Sequence, residues 1–348
     1  MDIRKLARRN ILNLQPYSSA RDEYTGSGGI LLDANENAFG AVIPGGYNRY
    51  PDPRQQVLKN EIGKYQKISD DRIFLGNGSD EAIDLLIRAV CEPGQDEILI
   101  FPPTYGMYKV CADINNVSVR QIPLQNDFTL PTRGAADLND PAIKLIFLCS
   151  PNNPTGNIFA ADAILPLLQN QNRLVVIDEA YIDFSGTPGM LGFLSEHDNL
   201  VILQTFSKSW GLAGIRLGTA FAHPDVIDLL NKIKYPYNIN MLTQEKALEA
   251  LRHPGALTDF VEQILAQRAY LEKALEKLQN VEHIFPSQAN FLLVRFKDAP
   301  AIFKHLIEHN VIVRDRSRAV HCENCLRITV GTPSENRLLI GLLEQLEG

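Results

Sequence analysis

From about residue 70 onward, short apolar runs alternate with amphipathic stretches. "RIFLGNG", "EILIFPP", "VSVRQIPL", "KLIFLCS", "RLVVIDEAY" and "NLVILQTFS" are aliphatic and β-branched, and Gly, Pro, Asn or Asp bounds each of them. Most are continuously apolar rather than alternating, as strands covered on both faces require. Between several of them lie segments such as "SDEAIDLLIRAVCEPG" and "ADAILPLLQNQN", whose apolar positions recur at helical spacing. The pattern predicts an α/β fold with a large, mostly parallel sheet.

The pattern changes further on. "GALTDFVEQILAQRAYLEKALEKLQN" carries an apolar helical stripe, read as core packing. Strand-like "VEHIF", "ANFLLVRF", "VIVRD" and "CLRITVG" follow, with helices in "APAIFKHLIEHN" and "PSENRLLIGLLEQLE". This predicts a smaller α+β domain over 246–348, after a large ligand-binding domain over 31–245. Residues 1–30 read as an N-terminal arm, with "GSGG" at 26–29 as a flexible break.

At 348 residues the chain can bury a sizeable core. Its 45% hydrophobic and 22% charged content is ordinary for a soluble protein. A formal charge of -7 argues against a nucleic-acid partner. Neither a membrane span nor a secretory signal is legible, so a cytoplasmic protein is expected. Five scattered cysteines do not form a disulfide framework. The C-x-x-C of "HCENC" lacks the second ligand pair a structural zinc needs, so no metal is expected.

Ligands of open α/β sheets gather beyond the carboxyl ends of the strands, so the residues delivered there carry the chemistry. "RIFLGNGSDEAIDLL" brings Gly78, Ser79 and Asp80 to a helix start, where free N–H groups suit a phosphate. An ordinary capped turn explains it equally well, and G-x-G-x-x-G is not met because Glu81 stands at the third glycine position. "EILIFPPTYGMY" brings Tyr105, an aromatic face more often used for packing. "SPNNPTGN" brings Asn152 and Asn153, residues common in plain turns. Asp178 ends the apolar run "RLVVID", where a buried carboxylate needs a partner, and Tyr181 follows it. "NLVILQTFSKSWGLAGIR" brings Ser207, Lys208 and Arg216.

One ligand uses the whole set. Pyridoxal 5'-phosphate has an aldehyde for Lys208, a ring nitrogen for Asp178 and a phenolic oxygen for Asn153 and Tyr181. It also has a flat face for Tyr105, and a phosphate for Gly78, Ser79, Asp80, Ser207 and Arg216. Lys208, Asp178 and Tyr181 are the catalytic candidates. Lys208, released from the cofactor, would move a proton as base and acid, which needs a lowered ammonium pKa.

"SPNNPTG", "DEAY" and "SKSWGLAGIR", in this order, resemble the signatures of fold-type I pyridoxal-phosphate aminotransferases, and the resemblance runs essentially the whole chain. "LDANENAFG", "YNRYPDP", "GNGSDE" and "CLRITVGT" narrow it to the branch that exchanges an amino group between L-histidinol phosphate, a phosphorylated amine, and 2-oxoglutarate. The resemblance implies double-displacement kinetics and a homodimer with shared active sites, in which Tyr50 crosses to the other chain's cofactor phosphate. It further implies substrate contacts from Tyr17, Asn35, Arg314 and Arg327; surface ion pairing is the bland alternative for the arginines. Ala38 stands where the family has proline, and Trp210 where it has a smaller or Phe-like residue. The loop "SRAVHCEN" adds positive charge near the substrate end. Rival activities on the same body are decarboxylation of threonine phosphate and transamination of aromatic or mixed amino acids. A cofactor-sensing regulator would need a DNA-binding module, for which there is no room before residue 30.

Overall fold

The computed structural model describes residues 3–19, 21, 29–131 and 140–346. Two sheets organise it. The first has seven strands, β1 (Ile73–Asn77), β2 (Glu97–Ile100), β3 (Ser118–Gln121), β4 (Ile143–Cys149), β5 (Leu174–Asp178), β6 (Leu200–Thr205) and β7 (Leu217–Ala222), in the order β1-β7-β6-β5-β4-β2-β3. β7 runs antiparallel to both its neighbours, and the other pairings are parallel. The second sheet is antiparallel: β8 (Val281–Phe285), β9 (Phe291–Phe296), β10 (Arg314–Asp315) and β11 (Cys325–Thr329), ordered β10-β11-β9-β8.

The continuous apolar runs are buried on both faces, as their lack of alternation implies. In β4, Leu145, Phe147 and Cys149 pack towards the helices Ser79–Val90 and Met107–Ile114, while Ile146 and Leu148 face the opposite core. The small sheet buries Leu292, Val294, Leu326 and Ile328 against Leu271, Ile302 and Leu339 of its own helices. Its other face meets the large unit, where Phe291 joins Tyr181 and Phe184.

Four expectations are modified. β7 has no counterpart among the strand-like runs above, because "LGTAFA" is built of small residues with weak strand character. Only Arg314–Asp315 of "VIVRD" pairs, at the sheet edge. "ADAILPLLQNQN" is broken into a short α-helix, Ala161–Ile164, and a 3-10 turn, Leu165–Gln169, because Pro166 supplies no N–H. The long stripe is core only in part: Leu257, Leu271 and Leu275 of the helix Pro254–Leu275 are buried, whereas Phe260 is 54% exposed.

The start of the arm is docked. Ile3 is fully buried in the large core, and the Arg8 N–H donates to Ala89 O at 2.8 Å. Of the "GSGG" break, residues 26–28 lie outside the described residues. A division at 245 falls inside the helix Met241–Leu251, whose Ala247 packs in the core beneath the large sheet. All five cysteines are buried and free, and no metal-binding cluster exists among the described residues.

Candidate active site

β4, β5 and β6 end side by side: Cys149 pairs with Asp178, and Asp178 with Leu203. One cleft beyond these ends is lined by Gly78, Ser79, Asp80, Tyr105, Asn153, Asp178, Tyr181, Ser207, Lys208 and Arg216. Cys149, Ala180 and Thr205 complete it.

Asp178 lies at the floor, 2% exposed. The Tyr108 hydroxyl donates to its Oδ2 at 2.7 Å, and the Ala180 N–H to its Oδ1 at 3.1 Å. Burial pushes the carboxyl up to about 6, and these two donors hold it from rising further. Tyr108 was missed by sequence reasoning. It is fully buried, stacked on Phe147 with ring centroids 4.8 Å apart. Its signal was available: in "TYGMY" it stands three residues after Tyr105, one helical turn on.

Lys208 is half-buried above this floor, its Nζ 5.4 Å from the Tyr181 ring centre. Desolvation and then the nearby Arg327 charge lower its pKa, against the opposing pull of Asp178. Asn153 joins two elements: its Nδ2 donates to Tyr181 Oη at 3.3 Å, and its Oδ1 accepts from Arg327 Nη1 at 2.5 Å. Arg327 also lies over the Phe291 ring at 5.2 Å, and its buried Nε has no partner. Asn152 fits the plain turn reading, because its Nδ2 bonds Pro103 O and Thr155 Oγ1 at 2.8 and 2.7 Å.

The opposite end is built of backbone, hydroxyls and the Arg216–Asp80 pair. Gly78, at φ 72°, precedes the twelve-residue helix Ser79–Val90, and its N–H donates to Arg216 O at 2.7 Å. Arg216 is 3.6 Å from Asp80, which also accepts from Tyr105 Oη at 3.1 Å. Thr205 Oγ1 accepts the Ser207 N–H at 3.1 Å and donates to Ser207 Oγ at 3.0 Å. The strand end and helix start approach so closely that a β-carbon on Gly218 would sit 2.1 Å from Ser79 N. Gly218→Ala is therefore expected to lower stability by about 1–3 kcal/mol, read as a reduced denaturation midpoint.

Other expected residues stand apart within one chain. Tyr17, 75% exposed, borders a separate cleft of about 740 Å³ with Arg54, Lys59 and Lys234. Asn35 is exposed, and Tyr50 stacks on Tyr237 with centroids 4.5 Å apart. Glu36, also missed, ties this region together by accepting from Tyr50 N at 2.6 Å, Arg49 at 2.7 Å and Arg21 at 2.8 Å. Arg314 faces Arg327 across the β10–β11 ladder. Trp210 packs on Phe206 and Tyr65, away from the cleft. Ala38 is exposed, and it too lies outside the cleft.

A lysine lies in one cleft with a buried carboxylate and a helix start, and the chain belongs to the aminotransferase class I and II family, whose model matches residues 23–343. It is 51% identical to the histidinol-phosphate aminotransferase of Cytophaga hutchinsonii over 339 residues, 97% of each chain. The solved histidinol-phosphate aminotransferase from Clostridium acetobutylicum shares its fold at a TM-score of 0.80 and 24% identity, covering 86% of this chain and 91% of that one. The Sinorhizobium meliloti histidinol-phosphate aminotransferase, solved in complex with pyridoxal-5'-phosphate, has a TM-score of 0.79 at 22% identity, covering 90% of both. No helix among the described residues is long and apolar enough to cross a membrane.

Proposed function

We propose that the chain transfers the amino group between L-histidinol phosphate and 2-oxoglutarate, giving imidazole acetol phosphate and glutamate, with pyridoxal 5'-phosphate in the Lys208 cleft. The observation that carries the reading is the convergence of Lys208, Asp178, Asn153 and the Gly78–Arg216 cradle on one cleft. The substrate assignment draws on identity that extends over nearly the whole chain.

The residues fit the cofactor by their chemistry. A buried carboxylate, polar neutral groups, an amine and a helix start line one cleft, matching in kind its ring nitrogen, phenolic oxygen, aldehyde and phosphate. When bound, pyridoxal phosphate supplies an electron sink for the bond broken at the amine's α carbon. Asp178 would keep a proton on the ring nitrogen, Asn153 and Tyr181 would bond the phenolic oxygen, and Tyr105 would cover the ring. Ser79, Ser207 and Arg216 would hold the phosphate with the free N–H groups of the helix start. Lys208 Nζ would hold the aldehyde and, once freed, would take the proton from the substrate's α carbon; its lowered pKa suits it to accept that proton.

The reading includes a homodimer. Leu32, Phe39, Val42 and Ile43, in the segment preceding Tyr50, are 60–103% exposed, and a second copy would cover them. Tyr50 would then reach the other chain's phosphate end, with Tyr17 and Asn35 at the substrate mouth beside Arg314 and Arg327. The test is an assay of the holoenzyme with histidinol phosphate and 2-oxoglutarate, and separately with threonine phosphate or an aromatic amino acid. Glutamate should appear in the first, with double-displacement kinetics. Carbon dioxide from threonine phosphate without glutamate production, or preference for the aromatic donor, overturns the substrate assignment.

A further inference from the structure

We propose that Arg316 is a third cation of the substrate's anion pocket, and that it favours a doubly charged phosphate over a carboxylate. The inference rests on the phosphorylated-amine reading and adds a residue to it.

Register comes first. Arg314 is opposite Arg327 in the β10–β11 ladder, and the Arg316 N–H continues it by donating to Cys325 O at 2.9 Å. Alternation therefore puts the side chains of Arg314, Arg316, Cys325 and Arg327 on one face of the ribbon. That face meets the large unit, since Cys325 packs in the core beneath the seven-stranded sheet and Arg327 bonds Asn153 at the cleft.

The state of the Arg316 guanidinium comes second. It is half-buried, its Nε is shut off from water, and it makes no hydrogen bond or ion pair among the described residues. Desolvation, then Arg327 and Arg314, weaken its hold on its proton, while Cys322 and Tyr181 act in the opposite sense. It thus lies within electrostatic reach of a residue that lines the cleft. Asp315, adjacent in sequence, faces the other way by alternation and accepts the Ser317 N–H at 2.8 Å.

Asp315 feels the Arg316 charge without bonding it, and a partly buried guanidinium with no hydrogen-bonded anion, beside two others, is unfavourable until a further counter-charge arrives. A phosphate monoester near neutral pH brings a charge of about -1.5 to -2 and three acceptor oxygens. A carboxylate brings one charge and two oxygens, which a single planar fork satisfies. Three converging guanidiniums match the former better.

The experiment compares wild-type, Arg316→Gln and Arg316→Lys holoenzymes. The ratio of kcat/KM for histidinol phosphate to that for glutamate should fall about 10- to 100-fold in Arg316→Gln, mostly through KM, with partial recovery in Arg316→Lys. Titration calorimetry with inorganic phosphate should show binding to the wild type weakened about tenfold in Arg316→Gln. This second arm needs no turnover, so it reports on Arg316 even if histidinol phosphate is not the substrate. An unchanged ratio with unchanged phosphate binding overturns the proposal. So does an equal loss for both substrates with a lowered melting temperature, which marks a structural role. If Arg316→Gln does not fold, Arg316→Lys alone decides by the same two readouts.

Discussion

Lys208→Ala is expected to lose about four orders of magnitude in kcat, and borohydride should no longer trap a pyridoxyl group on the peptide spanning residue 208. Both readouts test the proposal that one Nζ serves as cofactor anchor and proton carrier. Lys208→Arg separates charge from basicity. It keeps a cation in the cleft, yet a guanidinium stays protonated and can neither attach to the aldehyde nor accept the α proton. It should be as inactive as the alanine variant, while circular dichroism reports an unchanged fold. An arginine variant retaining more than about 1% of turnover would assign the proton transfer elsewhere.

Asp178→Asn should cut kcat about 100- to 1,000-fold if Asp178 is the proposed partner of the ring nitrogen, because a neutral amide replaces its buried charge. The same variant should stabilise the cofactor-free protein. A carboxyl raised by burial to about 6 holds more protons folded than unfolded at moderately acidic pH. The folded state therefore loses stability as pH rises from about 4 to about 6, and the loss persists above that window. Asparagine has no such penalty, and its amide can still exchange hydrogen bonds with the Tyr108 hydroxyl and the Ala180 N–H. At pH 7.5 cofactor-free Asp178→Asn should melt about 2–4 °C above wild type, with the difference vanishing towards pH 4. A melt that falls at pH 7.5 would refute this account of the floor.

Most of the parallel-type strands were legible as continuous apolar runs, whereas β3, Ser118–Gln121, is polar and partly exposed at the sheet edge. β7 was not legible, since Gly218 and its small neighbours are chosen for close approach to Ser79 rather than for strand propensity. Lys208, Asp178 and Asn153 could be read from where strands end, because topology alone brings those ends together. Tyr108 hid inside a helix as an apparent core aromatic, and its role depends on one hydroxyl finding one carboxylate. The Glu36 cluster was hidden for another reason: its partners Arg21 and Arg49 are held by loop geometry, which no periodicity encodes. Tyr17, Asn35 and Tyr50 were marked by resemblance, and within one chain they stand away from the Lys208 cleft.

β1 has β7 as its single strand neighbour in the sheet, with Gly76 opposite Gly218. The anion cradle is thus assembled from segments about 140 residues apart, and closing so long a loop is slow compared with local structure formation. On a growing chain the lysine, the aspartate and the helix start can all exist before the cradle does. It closes only after the polypeptide has been made through Ala222 and β7 has inserted between its neighbours. On the proposed reading, phosphate affinity would arise late in folding, and cofactor capture would report that the large sheet is complete.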